Sequence, residues 1–418
     1  MEAALILGMY IADELLSVLT PYSSGPFAIA IVALYAKHTH VSLRKLRSAF
    51  VYTLATYVVG AAGGLLSGSP LNGIFLMTPA LLAAVCLCGS ELRGPAALLI
   101  APSMAYLGVL VSMIALMLSL LGYDVYSVVS GVKSNRDSGL FLEPSHLALY
   151  VMPLWLIAFQ RRDYRPWLYA FLLLMLTAAF SVTLIAILII AASLNAFVQP
   201  FPKGSRGPVR WVRLVLVTSM VLLILIVLPI PITIAGTPVK AYVADRLIGL
   251  VVTGSTESYN LSSLVVLQGV ELAYHSFIAS FGLGVGLGNL GLSQQVLDRS
   301  TYLSIIKTVL GGDLSQNVRD GGILVNKLVG ELGACSLLVA VVLKKSAHRL
   351  RLMPCAPEQS YHQAMAGLLV SLLFVRGLSY FAAPTCLAIL SVTSLLGHRP
   401  ITTATNEVPE ERPVSAIT

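Results

Sequence analysis

The chain has 418 residues, of which 57% are hydrophobic and only 11% charged, and its mean hydropathy is +0.85. Because a soluble globular domain needs roughly a quarter of its residues charged, this composition predicts a polytopic integral membrane protein instead. The net charge of +8 does not indicate a nucleic-acid partner, since Lys and Arg in the cytoplasmic loops of a membrane protein produce the same excess.

Apolar windows of the length needed to cross a bilayer, about 20 residues, recur along the chain. They predict an all-α protein with one transmembrane domain, residues 1–418, and about 12 transmembrane helices (11 to 13). The first window carries acidic residues where a signal peptide would be basic or apolar, so we expect a retained span. The predicted spans are residues 2–20, 26–37, 48–67, 71–89, 95–121, 144–160, 166–181, 184–199, 213–231, 321–343, 362–381 and 382–397.

The basic clusters AKHTHVSLRKLR, QRRDYR, KGSRGPVRWVR and KKSAHRLR alternate with less basic connections, in the order that a weaving chain requires. They hold most of the 27 Lys and Arg residues, and the positive-inside rule makes their side cytoplasmic. Both termini are then cytoplasmic, and the polar tail, residues 400–418, is predicted to be disordered. The five cysteines show neither a disulfide framework nor a metal-ligand spacing.

This topology leaves two sizeable loops on the outer side, residues 122–143 and residues 232–320. The second is long for an unstructured connection. Within it, apolar residues of NLSSLVVLQGVELAYHSFIASF recur at helical spacing, so we expect this part to be a helix on or in the outer half of the membrane.

Candidate proton acceptors lie in both outer loops. Glu143 precedes Pro144 at a helix start, where the positive helix end stabilises its charge and makes it a weaker base. Glu271 and His275 stand at i and i+4, so their side chains can meet on one helix face. His146 faces the same side and is a candidate for substrate binding.

Candidate anion-binding residues are the arginines predicted on the outer side, because arginine makes forked contacts with phosphate oxygens. Arg376, near the outer end of its span, is either a snorkelling anchor or a cation directed at a phosphate. Lys327 and Glu331, also four residues apart, are expected to pair with each other. The other candidate arginines are Arg136, Arg246, Arg299 and Arg319.

The segment FGLGVGLGNLG, residues 281–291, superficially matches a nucleotide-binding loop, but its glycine spacing is wrong and no strand precedes it. Its glycines are expected to let the backbone approach another backbone or a ligand closely.

Three stretches occur in order along the chain: GLFLEPSHLA at the end of the first outer loop, GLGVGLGNLG within the second, and LVGELGACSLL in the span that follows. Together they resemble the Wzy-type polymerases of the O-antigen ligase and polymerase superfamily. The resemblance implies a GT-C-like, metal-independent glycosyltransferase without a cofactor, in the bacterial inner membrane with its active site facing the periplasm. It implies undecaprenyl-pyrophosphate-linked glycan as both donor and acceptor, repeat-unit polymerisation into O-antigen or another surface polysaccharide, and a chain-length regulator as a partner.

One departure separates the polymerase from the ligase interpretation. Ligases of the superfamily resemble one another in a histidine and an asparagine just before the corresponding span. This chain has Asp320, Gly321 and Gly322 at that place. Polymerases are described by an arginine followed eleven positions later by a glycine, a spacing that Arg319 and Gly330 meet. A ligase that transfers glycan to lipid A core and a lipid-linked oligosaccharide flippase or transporter remain the alternatives.

Overall fold

The computed structural model is helical, and within the described residues its β-structure is a two-residue antiparallel pairing of Thr233–Ile234 with Thr237–Pro238. The all-α prediction is therefore confirmed for this part of the chain. The predicted span 213–231 and the predicted tail lie outside the described residues. The structure describes residues 2–19, 25–36, 41–69, 73–91, 102–131, 133, 137–159, 165–179, 181–198, 233–234, 237–238, 261–310, 322–353 and 357–397.

The helices of the first half largely follow the apolar windows, and two of them continue through an internal proline, Pro79 and Pro153. They are α1 (Glu2–Leu19), α2 (Pro26–Ala36), α3 (Leu43–Leu66), α4 (Gly73–Glu91), α5 (Pro102–Leu120), α6 (Val125–Ser130), α7 (Pro144–Phe159), α8 (Arg165–Thr177) and α9 (Val182–Val198).

The helices of the second half depart further from the predicted windows. They are α10 (Leu261–Ala279), α11 (Gln294–Leu297), α12 (Thr301–Leu310), α13 (Leu324–Leu332), a 3-10 turn (Gly333–Cys335), α14 (Ser336–Leu352), α15 (Pro357–Phe374) and α16 (Ala383–Gly397). The helix expected within residues 260–281 is confirmed as α10.

Two predicted spans have the wrong bounds. The window 321–343 is one apolar run in the sequence, but the helix breaks at Gly333, whose φ of 57° lies in the left-handed region, and it continues through the basic residues to Leu352. The window 362–381 was predicted to be helical throughout, whereas α15 ends at Phe374. A non-helical segment, residues 376–379, follows, so Arg376 lies beyond its helix rather than within a span.

Helix α7 is the centre of the core. Pro144 occupies its first position, where the missing N–H costs no hydrogen bond, and the residues from Leu147 to Leu154 are all buried. It packs against α5, α9 and α15. The start of α7, which carries the candidate residues, is therefore held by rigid neighbours.

One side of the bundle, which we call the acidic end, gathers the end of α1 and the starts of α7 and α16. Glu14 of α1 contacts His146 of α7, and Asp13 of α1 accepts a hydrogen bond from Ala383 of α16. The segment before α7 contributes Glu143. The chain thus brings together helix termini that are more than 100 positions apart.

At the other side, which we call the basic end, the end of α14 meets the end of α16, and the start of α5 meets the end of α7. Arg349 donates a hydrogen bond to the Leu395 carbonyl, and Tyr106 donates one to the Ala158 carbonyl. Arg165, at the start of α8, lies over the Phe159 ring, 5.2 Å from its centroid. Helices α7 and α16 therefore both run from the acidic end to the basic end.

Two stretches of helix among the described residues are long and apolar enough to cross a membrane, namely Leu43–Leu66 and Leu324–Leu352. Only 17% and 28% of their most apolar windows are buried in the protein. Length and composition alone are weak indications, because the core helix of a soluble protein can also meet them. A soluble core helix is mostly buried, however, whereas most residues of Leu43–Leu66 are exposed.

Candidate functional site

A carboxylate and an imidazole meet at the acidic end. Glu14 Oε1 lies 3.0 Å from His146 Nδ1, and it also accepts a hydrogen bond from the Leu142 N–H at 2.9 Å. Glu14 is buried, whereas one fifth of the His146 side chain is exposed. A carboxylate oxygen at this distance accepts a hydrogen bond from a protonated Nδ1, and in the neutral imidazole of that tautomer Nε2 carries a lone pair. That arrangement orients an imidazole to accept a proton.

Arg376 and Glu143 form an ion pair beside this dyad. Arg376 Nη2 lies 3.3 Å from Glu143 Oε2, and the same oxygen accepts a hydrogen bond from the Ser145 hydroxyl at 2.9 Å. About half of the Glu143 side chain is exposed, so the pair contributes little to stability. The His146 N–H donates a hydrogen bond to the Glu143 carbonyl at 3.0 Å, which joins this pair to the dyad. Arg376, Glu143, His146 and Glu14 therefore form one cluster, which we call the outer cluster.

The acid adjacent to Glu14 fixes the helices that carry the outer cluster. Asp13 Oδ2 accepts hydrogen bonds from the Tyr150 hydroxyl at 2.7 Å and from the Ala383 N–H at 2.8 Å. Tyr150 lies on α7 and Ala383 begins α16, so one carboxylate ties three helices together. Its role is to position α7 and the segment that carries Arg376.

Lys327 and Glu331 are both buried, and Tyr380 connects them. The Lys327 ammonium lies 4.7 Å from the centroid of the Tyr380 ring, and the Tyr380 hydroxyl donates a hydrogen bond to Glu331 Oε2 at 2.8 Å. Glu331 Oε1 also lies 3.5 Å from the Leu290 N–H. Lys327 and Glu331 therefore meet through an aromatic ring from the segment that carries Arg376, and the direct ion pair expected from their spacing is not formed.

The glycines of residues 281–291 allow the close backbone approach that the sequence predicted. Gly282, Gly284, Gly286 and Gly288 all have φ between 79° and 91°, a region that disfavours other residues. The Gly286 N–H donates to the Glu331 carbonyl at 2.9 Å, and a Cβ on Gly284 would collide with that carbonyl. The prediction of close approach is confirmed, with α13 as the neighbouring backbone.

Glu271 and His275 lie on α10, where Glu271 caps another helix. Its carboxylate accepts hydrogen bonds from the Ser300 hydroxyl and from the N–H groups of Thr301 and Tyr302, at 2.7 to 3.0 Å. Burial raises the pKa of Glu271, but these hydrogen bonds outweigh it and hold the pKa below its usual value. His275 Nε2 is 3.9 Å from Glu271 Oε1. A carboxylate engaged in this way is a weak base, although its catalytic role stays a prediction.

The five predicted arginines are not all described. Arg136, Arg246 and Arg319 lie outside the described residues. Arg299 is exposed on the turn before α12, where the described part of the chain gives it no ion-pair partner. Arg376 alone of the five is placed next to other candidate residues, Glu143 and His146.

Asp13 and Glu14 were not among the predicted site residues, since in the sequence their acidity argued only against a signal peptide. Two adjacent acids in an otherwise apolar helix were the signal, because an ionisable residue within a span is a functional candidate by default. Tyr150 and Tyr380 carried no such signal, since tyrosines are common in apolar helices and loops.

The outer cluster offers a base and a cation. His146 can accept a proton on Nε2, and Arg376 can donate forked hydrogen bonds to an anionic group that competes with Glu143. Within the described ranges, no group of three or more His, Cys, Asp or Glu side chains converges as a metal site would require.

No known protein family, curated protein or solved structure matches the chain. The chemistry of the outer cluster is therefore the basis on which a function is proposed.

Proposed function

We propose that the chain is a multi-pass protein of the bacterial inner membrane that polymerises lipid-linked oligosaccharide repeat units on the periplasmic side. Several observations support the membrane part. Two stretches are long and apolar enough to cross a bilayer, and helix α3 exposes large apolar side chains along its length, among them Phe50, Val58 and Leu65. Such a surface suits contact with lipid and not with water.

The orientation follows from charge. The described residues of three of these clusters, among them Lys45, Arg165 and Arg349, lie at the basic end, which the positive-inside rule assigns to the cytoplasm, so the acidic end faces the periplasm. The outer cluster then lies where a lipid-linked glycan, already moved across the membrane, would present its pyrophosphate. Two long outer loops provide the surface for the glycan.

The outer cluster is the observation that carries the proposed reaction. The hydroxyl oxygen of the acceptor repeat unit forms a bond to the anomeric carbon of the donor glycan, and the bond from that carbon to the pyrophosphate oxygen breaks. The electron pair leaves with the pyrophosphate, and the hydroxyl proton goes to His146 Nε2. Glu14 orients the imidazole and stabilises its positive charge, while Arg376 stabilises the charge on the departing pyrophosphate. Glu143 holds Arg376 in place before the substrate arrives.

One observation favours a second candidate, a flippase or secondary transporter. Asp13, Glu14, Lys327 and Glu331 are four buried ionisable residues in apolar helices, and such residues often form relays in transporters. The three acids accept hydrogen bonds from neighbouring helices and loops, and Lys327 lies against the Tyr380 ring, which suits a positioning role better than a changing proton load.

Deleting the gene and separating the surface glycans and the lipid-linked intermediates on gels distinguishes these functions. Loss of a polymerase leaves single repeat units and no ladder, whereas loss of a ligase leaves long chains on the lipid carrier. Loss of a flippase traps single units facing the cytoplasm. A normal ladder would refute the polymerase proposal.

A pair of histidine variants tests the role of the outer cluster. His146→Gln removes the base, and we expect the ladder to be lost while the protein accumulates normally. His348→Gln changes an exposed histidine at the basic end and should leave the ladder intact. Equal ladders from both variants would exclude His146 from the reaction.

A further inference from the structure

A groove of about 440 Å³ runs along α3, between α3, α4 and α16, and none of its lining residues belongs to the outer cluster. Lys45 and Ser90 line it at the basic end, and Thr56 and Pro79 line it deeper in the bundle. Tyr52 lines it and is 73% exposed, so the groove opens to the outside of the bundle.

The groove contains hydroxyl groups, yet its wall is apolar. Ser48, Thr53 and Thr56 each donate a hydrogen bond to a backbone carbonyl of their own helix, four residues earlier, at 2.7 to 3.0 Å. Ser90 and Thr393 bond to carbonyls of α4 and α16 in the same way. Because each hydroxyl is satisfied locally, these residues direct carbon atoms into the groove, and its ligand is expected to be apolar.

The length of the groove matches one leaflet of a bilayer. From Lys45 to Thr56 is eleven residues of helix, or about 16 Å at 1.5 Å per residue. The hydrocarbon core of a bilayer is about 30 Å thick, so one acyl chain spans roughly 15 Å. Leu287, from the glycine-rich segment, also lines the groove.

The entrance at the basic end is positively charged. Arg44, Lys45 and Arg47 occupy the first turns of α3, and all three are exposed. Cations at this depth attract anionic lipid headgroups on the cytoplasmic side of a membrane. The groove has an apolar wall, the length of one leaflet and cations at one entrance. These three features suit a molecule with a hydrocarbon chain and an anionic headgroup.

We propose that this groove binds the acyl chain of an anionic phospholipid of the cytoplasmic leaflet, with the headgroup beside Arg44, Lys45 and Arg47. The proposal rests on the membrane location proposed above and not on the polymerase reaction. The bound lipid fills the space between α3, α4 and α16 and contacts Leu287, which lines the groove.

The test uses the full-length protein purified in detergent and measured by native mass spectrometry. Phosphatidylglycerol and phosphatidylcholine with identical acyl chains are added in turn, and the lipid retained per protein is measured. We expect tighter binding of phosphatidylglycerol. Lys45→Gln should weaken that binding about fivefold and leave phosphatidylcholine unchanged. Lys345→Gln, at an exposed lysine of α14 outside the groove, is the charge control.

A second pair of variants tests the groove itself. Ala49→Phe fills it and should abolish retention of both lipids, whereas Ala55→Phe, on the exposed face of the same helix, should retain them. If Ala49→Phe does not fold, Ala83→Leu blocks the groove from α4.

Equal retention by the Ala49 and Ala55 variants, or equal binding of the two lipids by the unaltered protein, would overturn the proposal. The measurement needs no glycan substrate, so its failure leaves the polymerase proposal standing. A chain recovered without membrane or detergent would overturn the membrane location instead.

Discussion

Tyr380→Phe removes one buried hydroxyl and leaves the rest of its ring in place. In the native protein that hydroxyl donates to Glu331 Oε2 at 2.8 Å, and both residues are buried. The aromatic ring remains under the Lys327 ammonium, so the change isolates the hydrogen bond. Leaving a buried acceptor unsatisfied costs about 1 to 3 kcal/mol, and we expect a loss of that size in the free energy of unfolding.

The protein supplies a matched control in Tyr361. Its hydroxyl is also buried, but it has no hydrogen-bond partner among the described residues. Tyr361→Phe removes the same atom without breaking a described bond, so we expect a change of at most about 0.5 kcal/mol, or a slight stabilisation.

Equilibrium unfolding in mixed detergent micelles measures both variants, and a double-mutant cycle with Glu331→Leu, which removes the acceptor oxygens, identifies the partner. If Glu331 accepts the bond, Tyr380→Phe costs less in the Glu331→Leu background than in the native one. Equal losses for the two tyrosine variants, or the same loss for Tyr380→Phe in both backgrounds, would refute the assignment.

Four further predictions concern single positions. Arg376→Lys keeps the charge but loses the planar fork, so the glycan ladder on gels should be severely reduced. The free energy of unfolding should change by less than about 1 kcal/mol, because the ion pair with Glu143 is partly exposed. Glu143→Gln should likewise spare folding and impair polymerisation, and an unaltered chain-length distribution would return Glu143 to a structural role. Gly284→Ala should destabilise the protein more than Gly122→Ala. Both glycines have positive φ, so either substitution costs about 1 to 2 kcal/mol, but only the Cβ at position 284 would meet a backbone carbonyl. Equal losses of stability in thermal unfolding would exclude the clash. The lowered pKa of Glu271 means that its contribution to stability is present above the ordinary value of 4.5 and is lost as the pH falls through the lower pKa of the folded state. Urea unfolding of Glu271→Gln should therefore show a weaker pH dependence there than the unaltered protein.

Periodicity and composition predicted the helical class and most helices of the first half. An apolar run of about 20 residues is long for a strand and indicates a helix, which is why α1, α5 and α7 fall within their windows. The bounds of α13 to α15 were wrong for a tertiary reason. Gly333 leaves the helix where the Gly282 backbone packs against it, and no local signal reveals that contact.

The candidate site was likewise predicted only in part from the sequence. Glu143, His146 and Arg376 were candidates because charge is costly in an apolar chain and each falls at a predicted outer helix end. Glu14 was visible as an acid in an apolar helix, but not as the partner of a histidine 132 positions away. The pairing of Lys327 with Glu331 was expected from their spacing, whereas the intervening Tyr380 was not.

The amino-acid sequence by itself determines the helical class, the apolar surface and the basic clusters at alternate helix ends, because these depend on composition and local periodicity. Only the tertiary structure decides which helix ends meet. It brings Glu14 to His146, Arg376 to Glu143 and the glycine-rich segment to α13, because burying a charge or a backbone group requires a partner from another element. Those partners are distant in the chain, so the cluster proposed to act on a glycan exists only in the folded protein.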